Sequence, residues 1–115
     1  MPDSLIYHMC RRGEWQVAER AGAYHGSSQD ASDGFIHFST AAQLAASAAR
    51  HRAGQSDLVL IAVAPDSLGE TLRWERAGNG ALFPHLYGAL PLGAVHWVRD
   101  LPLAADGQHR LPPLD

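Results

Sequence analysis

The segment "DLVLIAVA", Asp57 to Ala64, is apolar without a break from Leu58 onward. Successive side chains of a strand point to opposite faces, so a strand apolar at every position needs cover on both sides. The run falls far short of the roughly 20 residues that cross a bilayer. It therefore predicts a buried, central strand, ended by Pro65-Asp66-Ser67. Whatever fold the chain adopts must lay material over both faces of this strand.

The remaining segments supply that cover. "SLIYHM", Ser4 to Met9, reads as a short strand, and Arg12 to Ala21 as a helix with Trp15, Ala18 and Ala21 at threefold spacing and Gly22 as its stop. "AYHGSSQDASD", Ala23 to Asp33, is small and polar without a period, which predicts a loop, and a loop of that length in a compact domain is functional or mobile. "GFIHFS" reads as a strand running straight into a helix over Ala41 to Arg52, because Thr40 and Gln43 match a capping box. The many alanines of that helix give it high propensity and a thin layer that packs closely on a sheet. "TLRWER", "FPHLYG" and "GAVHWVRD" read as further strands, with a turn at "AGNG", Ala77 to Gly80. The order β-α-loop-β-α-β-β-β-β, with both helices in the N-terminal half, predicts an α+β fold in a single domain over residues 1–115. The tail, residues 104–115, is too poor in apolar residues for a core element and is expected to be extended or loosely packed.

Composition removes several function classes. All 9 basic residues are arginine, set against 12 acidic residues. The absence of lysine excludes Schiff-base chemistry and a Walker-type phosphate loop. Arg11, Arg12, Arg50 and Arg52 form two small clusters read as solvated faces. No basic stripe interleaved with aromatics is present, so nucleic acid is not an expected partner. Cys10 is the single cysteine and cannot form an intrachain bridge, and the first residues lack the basic and apolar regions of a signal peptide. The expected setting is cytoplasmic, with no membrane segment. The sequence names no protein partner.

Seven histidines are the one compositional excess with chemical content. Alternation places Phe35, His37 and Ser39 on one face of their strand, at the start of a helix whose amides favour an anion. His8 lies in the first strand beside Tyr7. His85 follows Pro84 and has Tyr87 two residues on. Each of the three stands in a strand-like segment beside an aromatic, whereas His25, His51, His96 and His109 lack that setting and are left to solvent or edges. No H-x-x-x-H spacing exists, so a zinc site would rest wholly on tertiary assembly and none is assigned. A Ser-His-Asp hydrolase using Ser27, Ser28 or Ser39 lacks the G-x-S-x-G signature. A thiolate pair of Cys10 with His8 is weakened by strand alternation, and a small buried cysteine needs no function.

The motifs "IYHM", Trp15, "GFIHFST" with Gln43, "DLVL", "WER" and "FPHLYG", in this order across residues 4 to 100, resemble the bacterial domain-of-unknown-function family numbered 952. That family is similar in fold to the ADP-ribosyltransferase superfamily. The resemblance implies a compact split β-sheet that binds NAD in a cleft between two half-sheets. It also implies three signature positions, matched by His8 in the first strand, by His37 and Ser39 in "HFST", and near His85 at the third. The third position departs from those transferases whose third residue is a catalytic Glu, and Glu75 is the residue that could substitute. On this scheme His8 bonds the ribose, Tyr24 or Tyr87 stacks on the nicotinamide, and the segment Ala23 to Asp33 is a lid.

The function expected is thus binding of NAD or a related nucleotide in a histidine-lined cleft, with ADP-ribosyl or phospho transfer as the reaction class and NAD as substrate. His37, His85 and Glu75 are the expected catalytic residues; His8, Tyr24, Ser39 and Tyr87 are the expected ligand-binding ones. Two other classes stay open: a non-catalytic ligand-binding or protein-interaction domain, and a metal-dependent hydrolase.

Overall fold

The computed structural model describes residues 5–77 and 80–114. The chain runs β1 (Ile6–Arg11), α1 (Arg12–Ala21), β2 (Ala23–Tyr24), α2 (Ser28–Asp33), β3 (Ile36–His37), β4 (Ser39–Thr40), α3 (Ala41–His51), β5 (Leu58–Val63), a 3-10 segment (Pro65–Thr71), β6 (Leu72–Arg76), β7 (Leu82–Leu86), β8 (Leu90–Pro91), a second 3-10 turn (Leu92–Ala94) and β9 (Val95–Leu101). The fold is α+β. Ser4, expected to open the first strand, and Gly78 and Asn79 of the expected "AGNG" turn lie outside the described residues.

Strand β5 occupies the interior of an antiparallel sheet of order β4-β1-β5-β9. Every one of its side chains is buried. Val59, Ile61 and Val63 enter one core with Ile6, Cys10, Trp15 and Phe38. Leu58, Leu60 and Ala62 enter a second core with Tyr7, Met9, Leu44 and Ala48. Helix α1 thus covers one face through Trp15, and α3 covers the other through Leu44 and Ala48. Burying a side chain such as Ile61 contributes about 1.5–3 kcal/mol. Continuous apolarity is what this two-sided cover demands.

The remaining strands form a three-stranded sheet, β3-β7-β6, and a two-stranded pair, β2-β8. The expected "GFIHFS" strand is divided between sheets. Ile36 and His37 pair with β7, whereas Ser39 and Thr40 pair with β1. Phe38 sits at the crossing, its side chain buried in the first core and its amide donating to the Pro84 carbonyl at 3.0 Å. The division brings β1 and β7 to opposite sides of a single two-residue step, and the cleft described below lies there.

The expected loop over Ala23 to Asp33 is instead a short strand and a helix. Ser27 caps α2, its hydroxyl accepting from the Asp30 amide while the Asp30 carboxylate accepts from the Ser27 amide. Six residues are too few to show a helical period, which is why composition alone reads them as loop. The tail is extended and packs on the second core through Leu111 and Leu114, with the Leu114 carbonyl accepting from the Tyr7 hydroxyl at 2.8 Å. Among the described residues no helix is long and apolar enough to cross a membrane.

Candidate functional site

A cleft of ≈ 620 Å³ opens between β1 and α3 on one side and α2, β3 and β7 on the other. His8, His37 and His85 all reach it, and so does Ser39. Register explains the convergence. His37 pairs directly with His85 across β3 and β7, and His85 pairs directly with Arg73 of β6, so the three side chains share one sheet face.

The three histidines differ in what they hold. His8 is buried. Its Nδ1 lies 2.6 Å from the His37 carbonyl and its Nε2 lies 2.7 Å from the Tyr24 hydroxyl. A carbonyl only accepts, so Nδ1 carries the hydrogen and Nε2 accepts from Tyr24. Burial holds the His8 pKa below its ordinary value, against the opposing pull of Asp30, which agrees with this neutral ring. Both nitrogens are thereby committed to the protein, so the ribose-binding role expected of His8 has no free atom to perform it. Tyr24 is likewise corrected: its ring is buried among His8, Trp15 and the first core, with no face for a nicotinamide.

His37 stands between two carboxylates. Its Nδ1 lies 2.6 Å from Asp30 Oδ1 and its Nε2 lies 3.1 Å from Asp33 Oδ2. Asp30 is buried and also accepts from the Ser27 hydroxyl, the Ser27 amide and the His37 amide. Burial alone would raise its pKa, but the hydrogen bond from His37 and the amides of Ser27 and His37 outweigh it and hold it well below the usual range. Gly26 makes room for this carboxylate: a Cβ there would lie 2.9 Å from the Asp30 Cβ, and its φ is +101°. The expected lid is therefore anchored to the floor of the cleft by a buried charge.

His85 has a different environment. Its Nδ1 lies 2.9 Å from Glu75 Oε1, and its ring stacks on Phe35 with centroids 4.1 Å apart. Its Nε2 has no protein partner among the described residues. The His37 and His85 rings meet edge to face at 5.5 Å. Glu75 stands behind His85, accepting also from the Tyr87 hydroxyl at 2.7 Å. Those two hydrogen bonds, Tyr87 first, lower its pKa. Tyr87 leans on Phe35 and under Arg73. Phe35, with Tyr7, Phe38 and Phe83, is among the aromatic residues that line the cleft, whereas Tyr24 and Tyr87 are not. The Ser39 hydroxyl donates to Ser47 at 2.9 Å. The start of α3 is not an open anion site, because Thr40 and Gln43 cap each other.

The arginines of the cleft had no signal in the sequence. Arg50, His51 and Arg52 line it from the end of α3, and Arg76 of β6 lines it from the β3-β7-β6 sheet. Arg50 is exposed, as expected, at the edge of the cleft, whereas Arg52, also expected on a solvated face, is buried and donates to the Met9 carbonyl and to Gln55. Among the described residues none of Arg50, Arg52 and Arg76 has a carboxylate partner, while both cleft carboxylates, Asp30 and Asp33, are held by His37. The cleft accordingly presents uncompensated positive charge. Among the described residues no three His, Cys, Asp or Glu side chains are grouped so as to hold a metal ion.

The model of a family described as a protein of unknown function, DUF952, matches residues 9–98. The chain belongs to this family. A crystal structure of protein CC0527 from Caulobacter crescentus is 45% identical, with 94% of this chain and 95% of that one covered and a TM-score of 0.89. The solution NMR structure of CC0527 is 46% identical over 93% and 92%, with a TM-score of 0.83. No curated protein matches the chain. Neither the family description nor the names of these structures carries an activity.

Proposed function

We propose that the cleft binds the phosphate and ribose portion of a nucleotide, NAD or a relative of it, with group transfer as the reaction class. The observation that carries this reading is that Arg50 and Arg52 at the end of α3 and Arg76 on β6, without a carboxylate partner among the described residues, line the same cleft of ≈ 620 Å³ as His37 and His85. Guanidinium groups are suited to phosphate, which they bind through paired, charge-assisted N–H bonds. The volume lies within the roughly 300–1,000 Å³ of small-ligand pockets. Phe35, which lines the cleft, would give a base an aromatic contact. A cleft at the division between two sheets also supports kinship with the ADP-ribosyltransferase fold, NAD then being the substrate and His37, His85 and Glu75 the groups nearest the chemistry.

One observation favours binding without ribosyl transfer. Cleaving the nicotinamide bond builds positive charge on the ribose, which a nearby carboxylate stabilises, yet Asp30 and Asp33 are held by His37 and Glu75 by His85 and Tyr87. Calorimetric titration with ADP and NAD tests the proposal. Saturable binding that weakens about tenfold in Arg50→Ala and in Arg76→Ala supports it, and an absence of binding by either nucleotide overturns it. Release of nicotinamide from bound NAD separates transfer from binding alone.

A further inference from the structure

We propose that His37 and His85 are an acid–base pair that cleaves a phosphate diester of a nucleotide, with His85 as base and His37 as acid. The proposal rests on the nucleotide reading above and selects one reaction within it. Both rings border the cleft and touch edge to face at 5.5 Å, so a single phosphoryl group seated between them and the arginines can meet both.

Their hydrogen bonds assign the roles. His85 gives its Nδ1 hydrogen to Glu75, which fixes the tautomer with a bare Nε2, the form that accepts a proton. His37 faces carboxylate oxygen at both nitrogens, and both contacts are hydrogen bonds only when both nitrogens carry hydrogen. Asp33 is half exposed, so a substrate oxygen can take its place at Nε2. Unequal surroundings for two neighbouring titratable groups are what acid–base pairs require.

In the reaction, a water oxygen attacks phosphorus and its proton passes to Nε2 of His85. The bond from phosphorus to the leaving oxygen breaks with its electron pair, and that oxygen takes the proton from Nε2 of His37. The products are a phosphate monoester and an alcohol, and the rings regain their starting states by exchanging one proton with solvent. The leaving group decides between the two branches of the nucleotide reading. Nicotinamide departs as a neutral base and has no use for a proton donor, whereas an alkoxide leaving phosphorus does.

The test compares two diesters in the presence of EDTA: adenosine 2′,3′-cyclic phosphate, which expels a ribose alkoxide, and thymidine 5′-(4-nitrophenyl phosphate), which expels a phenolate stable without a proton. His37→Asn and His85→Asn each keep a side-chain N–H near the Nδ1 position and remove Nε2. Wild type should cleave both esters. His85→Asn should lose about 100-fold on both, and His37→Asn about 100-fold on the cyclic phosphate with little change on the nitrophenyl ester. Calorimetry with ADP on the same preparations reports the integrity of the site. ADP binding without cleavage of either ester, or equal losses on both for His37→Asn, overturns the acid–base pair and leaves nucleotide binding standing. Failure of ADP to bind the wild type removes the nucleotide reading and this proposal with it.

Discussion

The floor of the cleft and its β7 rim are built from the same residue types and behave differently. On the floor, the buried Asp30, His8, Tyr24 and Ser27 form, with the half-exposed His37, a network in which each polar atom of Asp30 and His8 has a partner. At the rim, Glu75 and Tyr87 are partly exposed and hold a buried His85 through its Nδ1 side, while among the described residues the His85 Nε2 has no protein partner. A closed polar network fixes architecture, because opening any part of it strands a buried group. An open one leaves a nitrogen for a ligand. His8 and His85 look alike in the sequence, each in a strand beside an aromatic, and this contrast separates a histidine whose nitrogens are both committed from one with a nitrogen to spare.

Removing the centre of the floor should do the most damage. Asp30→Ala strands His37 and three donors, and a loss of about 3 kcal/mol in a urea titration is expected, as for a buried pair deprived of one partner. A change within experimental error would show that the network does not hold the fold. Tyr24→Phe deletes the donor to His8 Nε2 together with the hydroxyl's contact to the Cys10 thiol, and the loss should cost about 1.5 kcal/mol by the same titration.

Acid probes the same network with no mutation. The His8 pKa is held below its ordinary 6.5, chiefly by burial. Between that value and the lower folded one the unfolded chain binds more protons than the folded chain, so stability falls as pH drops below 6.5. Asp30, also lowered from its ordinary 3.8, adds to the loss below that pH, because its stabilisation is present above its unfolded pKa. Stability that rises on acidification from pH 7 to 5 would contradict a neutral, buried His8. The smallest effect belongs to the rim, where Glu75→Ala should leave the urea midpoint unchanged while altering nucleotide turnover. A large shift in midpoint would make the rim cluster architectural too.

The sequence carried much of this. Unbroken apolarity in "DLVLIAVA" announced a strand covered on both sides, and Thr40 with Gln43 announced the start of α3 one residue beyond the strand. His37 and His85 were legible through alternation and their neighbours, though not their direct pairing, which depends on register between distant strands. Asp30 was hidden because α2 is too short for a period, even though Ser27 and Asp30 carry the spacing of a capping box. The division of "GFIHFS" was hidden because alternation runs through Phe38 without interruption. Arg52 was unreadable as a cleft residue because its burial comes from the Met9 carbonyl, a contact with no local signature.

The most direct measurement of the account is the imidazole nitrogen NMR spectrum during titration with ADP. The account predicts saturable shifts at Nε2 of His85 and Nε2 of His37, with both nitrogens of His8 unmoved. Saturable binding that shifts His8 and leaves His85 unchanged would contradict it.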